Sequence, residues 1–304
     1  MLRAAVLGLG NMGQHHARTL SQIDGVSLLA VCDTHEERRR TISSQLKCNA
    51  YACVEDLFKK ESLDVIALAL PTSLHYQFGM AALKQGLHVL IEKPISCTVI
   101  EAEALYEEAI NVGKKIMVGH IERFNPAVRA LRKYIKEGKL GRLITLHSRR
   151  ESPYPAQIRD ADVMLDLAVH DLDVIVDLCG MQPNKLHVNS GRAHLKERDD
   201  HAEIMMCFPG QEMTGYVQVS WISPIRIRQL SVMGSLGYAH LDYMAKTVSV
   251  FHPDVLEGKA LEVESDLPLT LEWQHFLSSI RSDQTPDVSA AEGLFALKMA
   301  LNEL

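Results

Sequence analysis

Asp166 and His170 stand four residues apart in Asp166-Leu-Ala-Val-His170, so a helix would set both on one face. A carboxylate beside an imidazole can orient the ring and raise its pKa, which is the arrangement of a general base. A half-buried pair of purely structural value fits the same spacing. Asp173 and Asp177 add acids near that face, for the same chemistry or for solubility. A second group is Val89-Leu-Ile-Glu92-Lys93-Pro94, in which a cation follows an apolar run and proline fixes the turn. The third group binds rather than reacts. Gly8-Leu9-Gly10-Asn11-Met12-Gly13 follows the apolar run Ala4–Leu7 and opens a helix. Gly8 permits a tight turn, Gly10 lets backbone approach a pyrophosphate, and Gly13 allows close helix–strand packing. The first helical N–H groups, around Asn11 and Met12, attract phosphate charge.

Asp33 ends the next apolar run, Val26 to Cys32, and completes a dinucleotide-binding fingerprint. Its carboxylate can accept from ribose hydroxyls and would repel a 2′-phosphate, which favours NAD over NADP. Arg38, Arg39 and Arg40 argue the other way, but Glu36 and Glu37 balance them as a solvated helix face.

These groups need a scaffold. Up to Gly119, apolar strands alternate with helices, which predicts a Rossmann doubly wound α/β domain. Asp64–Leu70, His88–Ile91 and Lys115–Val118 are the continuous runs of parallel strands covered on both faces. Thr98-Val-Ile-Glu101 is a capping box, and Gly113 ends the helix it opens. Open α/β sheets bind ligands outside the carboxyl ends of their strands, which aims Lys93 toward the cofactor cleft. The pattern changes after residue 140. Val163 to Cys179 predicts a helix stopped by Gly180, and strand-like runs follow from Lys185 to Phe251. Residues 213–221 alternate apolar and polar side chains, as in an antiparallel sheet. Two helices close the chain, the last behind a second capping box, Ser289-Ala-Ala-Glu292. The expected division is residues 1–120 for NAD binding and 121–304 for substrate binding and oligomerisation. The second part is then α+β with a large open, mostly antiparallel sheet, and the last helix can pack back on the first. The free face of that sheet calls for a cover, most economically another subunit, in a homodimer or homotetramer.

Composition narrows the classes further. A net charge of −6 with interspersed signs argues against nucleic acid or a membrane surface as partner. Nothing approaches the roughly 18 consecutive apolar residues of a membrane span. Met1-Leu2-Arg3 leads directly into a core strand, so a cytoplasmic location is expected. The 6 cysteines form no CxxC pair, and no metal site is expected.

Taken together, the glycine fingerprint, Glu92-Lys93-Pro94 and the Asp166/His170 helix resemble the glucose–fructose oxidoreductase/inositol dehydrogenase (Gfo/Idh/MocA) family along essentially the whole chain. Leu70, Pro71, His75 and His16 also match its pattern. The resemblance implies an NAD-dependent oxidoreductase acting on CH–OH groups, with Lys93, Asp166 and His170 around the reacting sugar. Glycines usual before and within the helix are replaced by Asp162, Val163 and Ala168, which bears on the shape of the substrate pocket. In the implied reaction His170 takes the hydroxyl proton, Asp166 stabilises the imidazolium, and Lys93 binds the hydroxyl and steadies its developing charge. Lys93 as the proton acceptor is the open variant.

Val118–Pro126 and Arg149–Asp160, together with Leu165–Asp173, resemble a subgroup that oxidises the 3-hydroxyl of UDP-N-acetylglucosamine. In that subgroup a PLP-dependent aminotransferase follows, on the way to the 3-amino sugars of lipid A. Arg149, Arg150, Arg159, Arg226 and Arg228 are cations for a diphosphate, with Arg226 and Arg228 on one strand face. A solvated strand or an intersubunit salt bridge also accounts for those two. Tyr154 can stack on a sugar or uracil or pack at an interface, and His120 and Glu122 can bond sugar hydroxyls or merely end a strand. A dehydrogenase of a free polyol such as an inositol would use the same catalytic residues without the arginines. A non-catalytic dinucleotide-binding sensor is the alternative of another class.

Overall fold

Short apolar runs punctuated by turn residues become parallel strands wherever helices cover both of their faces. In the computed structural model, which describes residues 1–155, 161–210, 212–253 and 255–304, the first such region runs in chain order as follows. It comprises β1 (Leu2–Leu7), α1 (Asn11–Leu20), β2 (Val26–Cys32), α2 (Glu36–Leu46), β3 (Asn49–Tyr51), α3 (Val54–Lys60), β4 (Val65–Leu68), α4 (His75–Lys84), β5 (His88–Glu92), α5 (Val99–Asn111) and β6 (Ile116–Gly119). The strand order is β3-β2-β1-β4-β5-β6, the doubly wound arrangement with its crevice between β1 and β4. All four residues of β4 are fully buried, as are Ala4, Ala5 and Val6 of β1. Leu7 pairs with Cys32 and with Leu68, so the carboxyl ends of β1, β2 and β4 lie level. That register brings Gly8, Asp33 and Ala69 to one edge.

The second region contains α6 (Pro126–Lys136), β7 (Leu143–Pro153), α7 (Val169–Cys179), β8 (Lys185–Gly191), β9 (His201–Cys207), β10 (Thr214–Ser220), β11 (Ile222–Gly234), β12 (Gly237–Asp242), β13 (Thr247–His252) and β14 (Val255–Ala260). Two helices follow, α8 (Pro268–Arg281) and α9 (Ala290–Ala300). The sheet order is β14-β13-β12-β11-β7-β10-β9-β8. Its pairings are antiparallel except for β7 with β10. In β10 the expected alternation holds through Gly215, Tyr216 and Val217, which are buried, exposed and buried in turn. The strand β14 escapes sequence reading because Gly258 and Lys259 interrupt its apolar signal.

The chain divides into two compact units, Met1–His120 with Leu269–Leu297 and Ile121–Pro268 with Lys298–Leu304. Most of the last two helices therefore counts with the first unit. Trp273, Phe276 and Leu277 of α8 are fully buried there.

One helix departs from expectation. The stretch read as a helix from Val163 begins with a π-helical turn at Met164–Ala168, and α7 proper starts at Val169. Apolar spacing does not encode the wider turn. The Asp162 carboxylate accepts from the N–H groups of Met164 and Leu165, at 3.0 Å each, and so caps this start where the family pattern has glycine. Gly180 ends the helix with a left-handed φ of 64°.

Candidate functional site

The glycine loop of the first unit is fixed by backbone contacts. Gly8 has φ +89°, and a Cβ there would lie 2.4 Å from the Ala69 carbonyl oxygen. A Cβ on Gly13 would lie 1.8 Å from the Gly8 oxygen. Neither position can take a side chain. Gly10 differs, because a Cβ there would meet nothing within 4 Å. It is the N-cap of α1 and offers no side-chain cap, so the first N–H groups of the helix, at Asn11 and Met12, are left to an incoming anion.

Beside the loop lies a cleft of about 580 Å³, lined among others by Gly8, Gly10, Asp33, Arg38, Leu70 and Pro71. Asp33 accepts from the Leu9 N–H at 2.6 Å and the His35 N–H at 2.7 Å, one on each oxygen, and each oxygen keeps acceptor capacity. Arg39 donates to the Asp33 carbonyl at 2.7 Å and Arg40 pairs with Glu36, which leaves Arg38 as the arginine lining the cleft. Open space at Gly10, uncapped helix N–H groups and a carboxylate at the end of β2 fit an adenine dinucleotide.

Glu92 is the last residue of β5, and Lys93 comes directly after it. His16 Nε2 donates to Glu92 Oε1 at 2.8 Å, and the Lys93 N–H reaches Oε2 at 3.3 Å. A Cβ on Gly119 would lie 3.0 Å from Glu92 Oε2, so glycine leaves room for the carboxylate. Burial works against ionisation of Glu92, but the His16 bond and the nearby Lys93 and His75 charges hold its carboxyl below the usual range. His75 is buried and does not line the cleft. Its two ring nitrogens lie 2.8 Å from the Pro94 oxygen and 2.9 Å from the Leu70 oxygen, joining the loops after β4 and β5.

In the second unit Asp166 and His170 are both half-buried, whereas Leu167, Ala168 and Val169 between them are buried. The two therefore share the open face of the helix. Behind it lies a buried polar cluster. Arg150 of β7 reaches Asp171 through Nε at 2.6 Å and Nη2 at 3.1 Å, and Glu122 through Nη1 at 3.0 Å. Its guanidinium lies 5.0 Å from the Tyr243 ring centre. Ser148 donates to Asp171 at 2.6 Å. Asp173 holds Arg123 in a bidentate pair at 2.7 and 2.5 Å, and Asp177 pairs with Arg132. These acids are structural anchors, and solubility is not their use.

The expected substrate residues separate. Arg150 is committed to its ion pairs and Arg149 to Glu151. Glu122 is taken by Arg150 and Asn125. Arg226 is exposed, whereas Arg228 is half-buried and makes no ion pair among the described residues. Burial, then the Arg150 guanidinium, lowers the pKa of Arg228 from its ordinary value. Tyr154 accepts from Arg198 at 3.0 Å and meets Trp221 edge-on in a pocket of about 260 Å³. His120 is buried, and Arg159 lies outside the described residues.

Residues 2–120 match the family described as "Oxidoreductase family, NAD-binding Rossmann fold", and residues 128–240 match its C-terminal domain, GFO/IDH/MocA. The chain belongs to the Gfo/Idh/MocA family. It is an oxidoreductase, and its cofactor is NAD. The UDP-N-acetylglucosamine 3-dehydrogenase of Acidithiobacillus ferrooxidans is 27% identical over 99% of this chain and 95% of its own. A solved structure of that enzyme aligns with a TM-score of 0.89 over 99% of this chain and 96% of its own. The scyllo-inositol 2-dehydrogenase (NAD(+)) of Bacillus subtilis is 24% identical over 99% of this chain and 92% of its own. A levoglucosan dehydrogenase complex with NADH shares the fold, at TM-score 0.90 and 17% identity over 99% of this chain and 95% of its own. No helix among the described residues is long and apolar enough to cross a membrane.

For a Gfo/Idh/MocA member, the positions missed in the sequence are instructive. The Arg150–Asp171 pair joins a strand to a helix and leaves no local pattern. Trp273 donates through Nε1 to His16 Nδ1 at 2.9 Å, across most of the chain's length. A buried tryptophan near the C-terminus reads as core, and here it is core with a polar duty.

Proposed function

We propose that the protein oxidises a secondary hydroxyl of a sugar nucleotide to a ketone, the substrate being UDP-N-acetylglucosamine at its 3-hydroxyl. The observation that carries this reading is Arg228, a half-buried guanidinium that makes no ion pair among the described residues and feels Glu122 and Asp171 only at longer range, beside Arg226 on β11. Cations in that state suit a diphosphate, and arginine binds phosphate in bidentate fashion. The 27% identical relative carries the same activity in its name. When bound, NAD supplies the acceptor for the hydride that leaves the carbinol carbon.

The chain's own residues handle the proton and the charge. His170 takes the hydroxyl proton, and Asp166 on the same open face stabilises the imidazolium that results. Lys93 binds the hydroxyl and stabilises negative charge developing on its oxygen. Tyr154 stacks on the sugar or the base, and His120 bonds a hydroxyl. Arg159 completes the candidate set, from which the bonds to Arg150 and Asn125 remove Glu122. The product ketone is the substrate for a PLP-dependent aminotransferase. A homodimer or homotetramer forms over the second sheet, which exposes Tyr216, Met233 and Phe251.

A second reading, oxidation of a free polyol such as an inositol, draws support from the Bacillus subtilis relative and from the commitment of Arg149 and Arg150 to acids. Incubation with NAD and each candidate, followed by the absorbance of reduced cofactor, separates the two. Reduction with UDP-N-acetylglucosamine and none with inositols is expected. The converse overturns the first reading. Near-normal turnover by Lys93→Ala overturns the catalytic assignment under either.

A further inference from the structure

The first unit contains a polar relay that the proposed chemistry does not use. Trp273 Nε1–H donates to His16 Nδ1 at 2.9 Å, and His16 Nε2 meets Glu92 Oε1 at 2.8 Å. An indole N–H can only donate, so His16 Nδ1 must accept. The ring is thereby fixed as the neutral Nε2–H tautomer, with its proton directed at Glu92. Trp273 and the His16 side chain are fully buried, while the Glu92 side chain keeps 12% of its exposure. The carboxylate is thus gripped from behind and open on one side.

Three other titratable groups bear on it. Lys93 and His75 favour its charge. Glu272 of α8 is fully buried, with no hydrogen-bond partner for either oxygen among the described residues. Burial and the Glu92 charge push its pKa far up, so it adds no second negative charge. The relay therefore presents one fixed anion, with the Lys93 N–H on its second oxygen.

The position of Glu92 gives that anion a task. Asp33 follows β2 and draws the adenosine ribose to that side of the β1–β4 crevice. A dinucleotide spanning the crevice then extends its nicotinamide over the carboxyl ends of β4 and β5, and Glu92 is the last residue of β5. The nicotinamide ring carries a positive charge when oxidised and none when reduced. We propose that Trp273 and His16 are positioning residues that hold Glu92 as a fixed anion, and that this anion makes the protein prefer NAD⁺ over NADH. The proposal rests on the dehydrogenase reading above, and it concerns which oxidation state of the cofactor the protein binds more tightly.

The test is equilibrium binding of NAD⁺, NADH and ADP-ribose to the full-length protein, followed by calorimetry. In Glu92→Gln, Kd for NAD⁺ should rise on the order of tenfold while Kd for NADH stays within about twofold. Trp273→Phe and His16→Leu should move the NAD⁺/NADH ratio the same way by roughly threefold. Glutamine at His16 can both accept and donate, so His16→Gln should restore the ratio. ADP-ribose lacks the nicotinamide, and its affinity should not change in any variant. Equal weakening of NAD⁺ and NADH in Glu92→Gln would overturn the proposal, as would an unchanged ratio. Wild-type protein that binds ADP-ribose and both cofactors with the expected ratio, yet oxidises neither UDP-N-acetylglucosamine nor an inositol, would overturn the substrate reading and leave the relay standing.

Discussion

The glycine loop of the first unit and the Arg150–Asp171 cluster of the second are built from opposite materials. The loop is backbone packed so closely that Gly8 and Gly13 exclude any side chain. The cluster is a set of long, charged side chains buried together around one guanidinium. A backbone constraint permits one residue type and so writes itself into a local motif. An ion pair needs only that two charges meet, and they can come from any two points of the chain. The first kind of site tolerates no added atom, and the second tolerates no missing charge.

The sharpest way to break that comparison is Arg150→Met. Removing one partner of a buried pair leaves Asp171 and Glu122 uncompensated, and a loss of about 3–5 kcal/mol in urea unfolding is expected. Adding Asp171→Leu should recover part of it, because one of the two stranded charges is then removed. A single variant as stable as wild type would show the cluster to be expendable. Next in size is Gly13→Val. The loop must move to admit the side chain, and NAD affinity should fall by about 100-fold or more in a binding titration. Retained affinity would mean that the close approach is not what positions the loop.

Arg228→Ala probes the second unit at a place where charge is not already paired. The KM for the sugar nucleotide should rise about tenfold with NAD affinity unchanged, as initial rates and cofactor titration would reveal. An unchanged KM would assign Arg228 a structural role. The smallest effect is a pH slope. Burial, then Lys114 and Lys115, lowers the pKa of His88 to about 4 from an ordinary value of 6.5. Its Nδ1 accepts the Lys115 N–H at 3.1 Å, which requires an unprotonated nitrogen. Below pH 6.5 the unfolded chain takes up a proton that the folded one refuses. Stability should therefore fall as pH drops from about 6.5 toward about 4, and the slope should flatten below that. Denaturation of His88→Asn at pH 7, 6 and 5 should show a shallower fall than wild type.

The same contrast explains what was legible in the sequence. Alternating strands and helices, the glycine turn, Asp33 and the Thr98 capping box were readable because each is a local demand on backbone or period. The capping box forms with both of its bonds, Thr98 and Glu101 serving each other's N–H groups. The π-helical turn before α7 was not readable, because its apolar spacing also suits an α-helix. Neither was the loss of Arg149, Arg150 and Glu122 to one another and to neighbouring acids, since a charged residue carries no local mark of its partner. His16 matched a family pattern, but its bond to Trp273 joins residues 257 positions apart.

That long-range bond has a consequence for how the protein is made. The first unit takes Leu269–Leu297 into its structure, and most of the other unit, Ile121–Pro268, is translated in between. On the ribosome, β1 to β6 emerge well before Trp273, Phe276 and Leu277, which end up buried in the same unit. The intervening residues can mature first, although translation begins with the nucleotide-binding strands. Until α8 arrives, His16 has no indole to bond, and the grip on Glu92 lacks its outermost member.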